Sequence, residues 1–235
     1  MNYIEAKELF SKINIELSKD MYDKFSIYEE ELISWNEKIN LTTILEDEEI
    51  WLKHFLDSCT ISPHIPHNSS VIDIGTGAGF PGIPAKIIDE DINLTLLDSL
   101  NKRIEFLKDV CDKTRFNNVD FVHGRAEDFG KDILYREKFD IACARAVANL
   151  STLCEYCLPF VKVGGKFICM KGKCIEEIEN AKNAILKLGG KISKTENFTL
   201  PNTDMERTII IIEKVSNTPK IYPRKAGTPS KNPIC

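Results

Sequence analysis

The spacing of apolar residues changes near residue 70. From 3 to 62 they recur every three or four positions, most clearly at Phe25, Tyr28, Leu32, Trp35 and Ile39. That interval stacks side chains on one face of a helix, and no alternating pattern breaks the run. The stretch Ser62-Pro63-His64-Ile65-Pro66-His67-Asn68-Ser69-Ser70 predicts a linker from its Pro, Ser and Asn content. Beyond it, short apolar runs alternate with amphipathic stretches. They predict strands at 71–74, 93–97, 119–122, 139–143 and 165–170, with helices from about 82 and at 101–115, 149–160 and 174–188. Repeated strand-helix units imply a parallel sheet with helices on both faces. The end differs: 191–200 and 207–214 read as two consecutive strands joined by Pro201-Asn202-Thr203-Asp204, so seven strands are expected, one of them antiparallel. The chain thus divides into a helical cap and linker at 1–69, an α/β domain at 70–215 and a basic, Pro-rich tail at 216–235.

With 235 residues and 43% apolar content, the chain can build one large α/β domain with a full core. No window approaches membrane-spanning length, and MNYIEAKELF lacks the basic region and apolar core of a signal peptide. A soluble cytoplasmic protein with no membrane partner is expected, working as a monomer. Eight cysteines include one close pair, Cys154 and Cys157, inside a predicted helix with no histidine or second pair at ligand spacing. They read as buried reduced thiols, and no metal site is expected. His64 and His67 lack a third ligand and read as loop residues. Net charge is −5, but from Lys214 to the end there are five basic residues (Lys214, Lys220, Arg224, Lys225, Lys231) and no acid. Such a tail is either a solvated end or a contact for phosphates.

The most informative segment is Val71-Ile72-Asp73-Ile74-Gly75-Thr76-Gly77-Ala78-Gly79-Phe80, a buried strand opening onto three closely spaced glycines. Gly75 allows the tight turn, Gly77 lets backbone approach a ligand, and Gly79 permits close packing of the next helix. Asp98, nineteen residues after Gly79, ends the second strand, where an acid can hold two ribose hydroxyls. Gly77 to Gly82 also spells the G-x-G-x-x-G of dinucleotide enzymes, but the glycine following the strand is Gly75, and in that register Phe80 takes the third glycine position. Asp73 would repel a pyrophosphate and attract an ammonium or sulfonium, so S-adenosylmethionine fits where NAD does not. The alternative is that Asp73 only hydrogen-bonds loop amides.

In such a sheet the ligand lies outside the carboxyl ends of the strands. After the first strand, a helix N-terminus offers amides to a carboxylate. After the third, Ala126 and Glu127 are placed to read an adenine edge, unless Glu127 and Asp128 merely favour a helix start. After the fourth comes Ala144-Arg145-Ala146, where enzymes that methylate exocyclic amines of bases often carry Asn/Asp-Pro-Pro-aromatic. Guanine N7 has an exposed lone pair and no proton to lose, so its methylation needs no general base, only in-line placement and donors that hold the base. Arg145, Lys171 and Arg207 are candidates for positioning guanine through its acceptors, or for surface and phosphate contacts.

The chain resembles, over nearly its whole length, the bacterial small-subunit ribosomal RNA guanine-N7 methyltransferases called RsmG or GidB. The resemblance rests on Trp35-Asn36-Glu37-Lys38-Ile39-Asn40-Leu41-Thr42, on His54-Phe55-Leu56-Asp57-Ser58, on the glycine loop through Pro84 and on Leu97-Asp98-Ser99-Leu100-Asn101-Lys102-Arg103. It continues through Arg125-Ala126-Glu127, Ala144-Arg145-Ala146 and Lys171-Gly172 to the tail at 222–233. It implies a seven-stranded Rossmann-like S-adenosylmethionine-dependent methyltransferase fold with an N-terminal helical extension. It implies methyl transfer from S-adenosylmethionine to a guanine N7 near the decoding centre, on small-subunit rRNA, a 30S subunit or an assembly intermediate. Cofactor contacts are then expected at Gly75, Phe80, Ala126, Glu127 and Arg145, beside Asp73, Gly77, Gly79 and Asp98. The tail then reads as a clamp on the RNA backbone through Arg224, Lys225 and Lys231. His54 and Asp57, three apart on a helix, read as a packing pair between cap and sheet rather than a catalytic pair. A small-molecule methyltransferase and a non-catalytic RNA-binding assembly factor remain as alternatives.

Overall fold

The computed structural model describes residues 1–145 and 148–234. Two helices, Tyr3–Ser11 and Lys19–Asn36, open the chain, and each is started by a side-chain cap. Asn2 and Glu5 satisfy one another's backbone N–H groups, and Ser18 accepts from the Met21 N–H. A third helical run, 47–59, is π-helical at Ile50–Leu56 and buries Trp51, Phe55 and Leu56.

The strands are β1 (Ser70–Ile74), β2 (Asn93–Asp98), β3 (Val119–His123), β4 (Phe139–Arg145), β5 (Val161–Lys171), β6 (Gly190–Thr199) and β7 (Glu206–Lys214). They form one sheet in the order β3-β2-β1-β4-β5-β7-β6. β1 to β5 pair in parallel, and β7 runs antiparallel to both β5 and β6, so the terminal hairpin supplies the reversed strand. Alternation along each strand sends side chains to two cores. Leu94, Leu96, Ile141, Cys143 and Ile211 meet the N-terminal helices and the helix Asn101–Thr114, while Ile72, Ala142, Phe167, Cys169 and Ile212 meet the helix Leu150–Cys157. The predicted helix at 149–160 stops as an α-helix at Cys157 and tightens into a 3-10 turn, Leu158–Phe160, because Pro159 has no N–H to extend the ladder.

The cap shares its core with the sheet. Tyr28 stacks on Phe55 at 5.1 Å and lies 5.4 Å from Phe80, and Phe25 lies 4.9 Å from Phe55. Each such aromatic pair contributes about 0.5–1.5 kcal/mol beyond the area it buries. The Tyr28 hydroxyl also donates to the Ala78 carbonyl, which ties the cap to the glycine loop. The tail runs back along the domain: the Arg136 guanidinium donates to the carbonyls of Thr218 at 2.6 Å and Tyr222 at 2.8 Å, and the tail ends in a helical turn, Thr228–Lys231.

Candidate active site

β1 lies between β2 and β4, so the chain leaves it at the point where the strand order reverses. The loop that follows is held by its own backbone: the N–H groups of Gly75 and Thr76 donate to the Leu97 carbonyl at 2.9 and 3.1 Å. Gly75, Gly77 and Gly79 have φ of +68°, +61° and +95°, the left-handed region that side chains with a Cβ resist. Gly79 is also hemmed in, since a Cβ there would lie 2.6 Å from the Tyr28 hydroxyl and 2.7 Å from Ile83. Gly77 faces open space, with only the Gly75 carbonyl within 4 Å of a Cβ, at 3.9 Å.

Asp73 lies fully buried beneath this loop. One oxygen accepts from the Thr76 hydroxyl at 2.7 Å and the Gly82 N–H at 2.9 Å, and the other has no partner among the described residues. Burial pushes the carboxyl up to about 6 against those bonds. The loop-amide alternative therefore accounts for one carboxylate oxygen and leaves the second unexplained. Asp98, also buried, accepts from the N–H groups of Gly77 and Leu100, each at 2.9 Å, and from Arg103 at 3.3 Å.

A cavity of about 230 Å³ opens at the ends of β1, β2 and β3. Gly75, Asp98, Ala126 and Glu127 line it, together with Ser99 and Tyr156. An orphaned buried carboxylate oxygen, a glycine cradle and an acid ending β2 fit S-adenosylmethionine. Of the other expected cofactor residues, Asp73, Gly77 and Gly79 build the loop itself. Phe80 lies behind it, only 5% exposed, in the aromatic cluster.

Arg145 lines a second cavity, of about 350 Å³, with His54, Asp57, Met170, Lys171 and Arg207. All three expected guanine-positioning residues are therefore brought together. The Arg145 guanidinium lies 4.5 Å from the Phe80 ring centre and donates to the Lys53 carbonyl and the Ser58 hydroxyl, each at 3.3 Å, and to His54 Nδ1, also at 3.3 Å. With Nδ1 accepting, His54 donates from Nε2 to the Thr42 hydroxyl at 2.7 Å. Burial, then Arg145, depress the imidazole to about 3, so it is neutral in the folded protein. Arg207 Nε donates to both oxygens of Asp57 at 3.0 Å. Burial raises the Asp57 carboxyl despite Arg207 and Arg145. His54 and Asp57 thus join cap to sheet, as packing and hydrogen-bonding partners. Lys171 is held by the Ala148 carbonyl at 2.5 Å and by Glu177 at 2.8 Å. Ala146, in the motif after β4, and Val147 lie outside the described residues.

The tail differs from a clamp of five free cations. Lys214 is fully buried and donates to the carbonyls of Leu158 and Val161 and to the Thr218 hydroxyl. Arg224, expected to meet RNA, is instead turned onto buried Glu155, with Nη2 2.7 Å from Oε2. Lys220, Lys225 and Lys231 stay exposed. Glu155 and Tyr156 were missed by sequence reasoning, although a lone acid in the apolar helix LSTLCEYC signals a buried partner.

Elsewhere, His64 bonds Glu196 at 2.9 Å, and exposed His67 lies between Asp89 and Asp91, the one group among the described residues with the spacing to hold a metal ion. The seven described cysteines are buried and unpaired, and Cys235 lies outside the described residues. No described helix is long and apolar enough to cross a membrane.

A family profile described as GidB, rRNA small subunit methyltransferase G, matches residues 21–208. The ribosomal RNA small subunit methyltransferase G of Alkaliphilus metalliredigens is 51% identical over 231 residues, 97% of each chain. That of Clostridium perfringens (strain SM101 / Type A) is 47% identical over the full length of both. Among solved structures, M. jannaschii TYW2 in complex with AdoMet superposes with a TM-score of 0.56 at 15% identity, covering 74% of this chain and 80% of that one. A SAM-dependent methyltransferase from Aquifex aeolicus gives 0.55 at 14%, covering 78% and 98%. At those identities the structures show the shared fold, the seven-stranded methyltransferase sheet.

Proposed function

We propose how this chain, which belongs to the rRNA small subunit methyltransferase G family and so transfers the methyl group of S-adenosylmethionine to a guanine N7 of 16S rRNA, divides that work between its two cavities. The cavity at the ends of β1 to β3 takes the methyl donor. Asp98 receives the ribose hydroxyls, the loop from Gly75 to Gly79 carries the amino-acid end above Asp73, and Ala126 with Glu127 meets the adenine edge. When bound, S-adenosylmethionine supplies an electrophilic methyl carbon on a sulfonium. The cavity lined by Arg145, Lys171 and Arg207 takes the guanine. A cationic donor on O6 leaves the N7 lone pair free and orients it towards the methyl group. Because N7 carries no proton, the pocket needs donors and no base, and neutral His54 bonded to Arg145 suits a positioning role rather than proton transfer.

The observation that carries this reading is the contact between Phe80 and Arg145, which joins the glycine loop of the first cavity to the wall of the second. The target guanine is one near the decoding centre. The enzyme works as a cytoplasmic monomer on free RNA, a 30S subunit or its assembly intermediate, with Lys225 and Lys231 of the tail against RNA phosphates.

The test is to incubate the protein and labelled S-adenosylmethionine with small-subunit RNA, free and in subunits from cells lacking the enzyme, and to map N7-methylguanine by chemical cleavage. One modified guanine near the decoding loop is expected. Cofactor binding without transfer to either substrate would move the chain to the small-molecule or the non-catalytic reading.

A further inference from the structure

The helix Leu150–Cys157 carries one charged residue, Glu155, which the structure buries completely. A carboxylate remains charged at such a position only where other groups replace its water. Here the tail supplies them. The Arg224 backbone N–H donates to Oε1 at 2.7 Å and its Nε at 3.0 Å, while Nη2 donates to Oε2 at 2.7 Å. One turn earlier on the same helix face, the Thr152 hydroxyl donates to the Pro229 carbonyl at 3.0 Å. The tail is thus fastened to this helix at 224 and at 229. Between them the chain turns at Gly227, with φ +80°, and its N–H donates to Oε1 of Glu127 at 2.8 Å. Glu127 lines the cavity assigned to the methyl donor, beside Tyr156, the next residue of the helix after Glu155.

We infer that the C-terminal tail braces Glu127, a wall residue of the cofactor cleft, and that Arg224 is a positioning residue for the cofactor which acts through Gly227 and Glu127. The inference rests on the reading that the cavity lined by Asp98 and Glu127 takes S-adenosylmethionine. Arg224 on Glu155 sets the path of the chain to Gly227, and the Gly227 N–H occupies Oε1 of Glu127. The carboxylate is thereby held in one orientation, with Oε2 left to accept from the ligand. A tail lifted from Glu155 releases that carboxylate, and the cofactor must then bear the ordering of both. Linkage makes the effect reciprocal, so bound cofactor must lower the population of the opened tail. The exposed Lys225 and Lys231 flank Gly227, so the segment proposed to touch RNA is also the one that braces Glu127.

Two measurements on the full chain test this. In steady-state kinetics with saturating RNA, Arg224→Gln is expected to raise KM and Kd for S-adenosylmethionine about tenfold, within the usual range for coupled sites. At saturating cofactor its kcat is expected to change less than about twofold, since coupling confined to cofactor binding leaves turnover alone. A general loss of folded enzyme would instead lower kcat and leave KM alone, and that result overturns the inference. In the unaltered protein, amide hydrogen exchange over 224–231 is expected to slow when S-adenosylhomocysteine binds, and unchanged exchange overturns the inference without any variant. Glu127→Gln separates the two levels. If it weakens cofactor binding while Arg224→Gln does not, the brace is wrong and the cleft stands; if neither does, the assignment of the cleft itself fails.

Discussion

The guanidinium carbon of Arg145 lies 4.5 Å from the centre of the Phe80 ring, so the end of β4 touches the end of the glycine loop. Phe80 also stacks on His54 at 4.5 Å, and His54 Nδ1 accepts from Arg145, which closes a three-residue cluster between cap, loop and sheet. Burial lowers the Arg145 pKa from its usual value, although Asp57, Tyr28 and Asp73 oppose this. The arrangement points to a cation held at one orientation by planar contacts, which a lysine cannot reproduce.

Arg145→Lys keeps the charge and loses the fork that reaches Lys53, Ser58 and His54 together. Loss of hydrogen bonds to a charged group at the guanine should lower kcat/KM for RNA about 10–100-fold. Calorimetry should find the affinity for S-adenosylmethionine nearly unchanged. A parallel loss of cofactor affinity would transfer Arg145 to the cofactor side.

His54 gives the stability a pH dependence of known sign. Its folded pKa, about 3, lies below the ordinary histidine value of 6.5, so the unfolded chain takes up a proton first as pH falls. Its contribution is complete above 6.5 and is lost progressively towards 3. Urea denaturation at pH 7.5 and pH 5 should show a smaller loss for His54→Gln than for the unaltered chain; equal losses would mean that His54 is protonated in place.

Asp73 has the opposite sign. Its carboxyl, raised from 3.8 to about 6 by burial, favours the folded state below 3.8, and that advantage disappears as pH rises through 6. A cation bound above it reverses the effect, so S-adenosylmethionine should bind more tightly as pH rises from 5 to 7. Asp73→Asn should flatten that dependence in calorimetric titrations, and a slope identical to that of the unaltered protein would remove Asp73 from the cofactor site.

Asp98→Asn retains the shape of the side chain but not the charge that draws the Gly77 and Leu100 amides. The affinity for S-adenosylmethionine should fall about tenfold or more, the size of a lost charge-assisted hydrogen bond. An unchanged dissociation constant would refute the ribose assignment.

Lys225→Ala with Lys231→Ala should leave cofactor affinity intact and weaken RNA binding. The slope of log K against log salt should shrink by about 1.4, two phosphates at ~0.7 each for single-stranded RNA. Filter binding between low and moderate salt measures it, and an unaltered slope would remove the tail from the RNA.

Much of this protein was legible in its sequence because the signals are local. A change from helical to strand period near residue 70 marks where the sheet begins, and two strands without a helix between them call for the reversed β7. Three glycines after β1 specify a loop that side chains would strain. Arg145 and Lys171 end the parallel strands β4 and β5 while Arg207 opens the antiparallel β7, so all three reach the same edge of the sheet and one cavity. What only the tertiary structure decided depends on burial and on partners far away in the chain. Net charge counted Arg224 and Lys214 as tail cations, yet the first meets Glu155 sixty-nine residues earlier and the second meets backbone carbonyls of Leu158 and Val161. The neutrality of His54 follows from its removal from water beside Arg145, ninety-one positions away. A cation's partner is set by which surfaces come together and how much water they exclude, and neither quantity is written in the order of neighbouring residues.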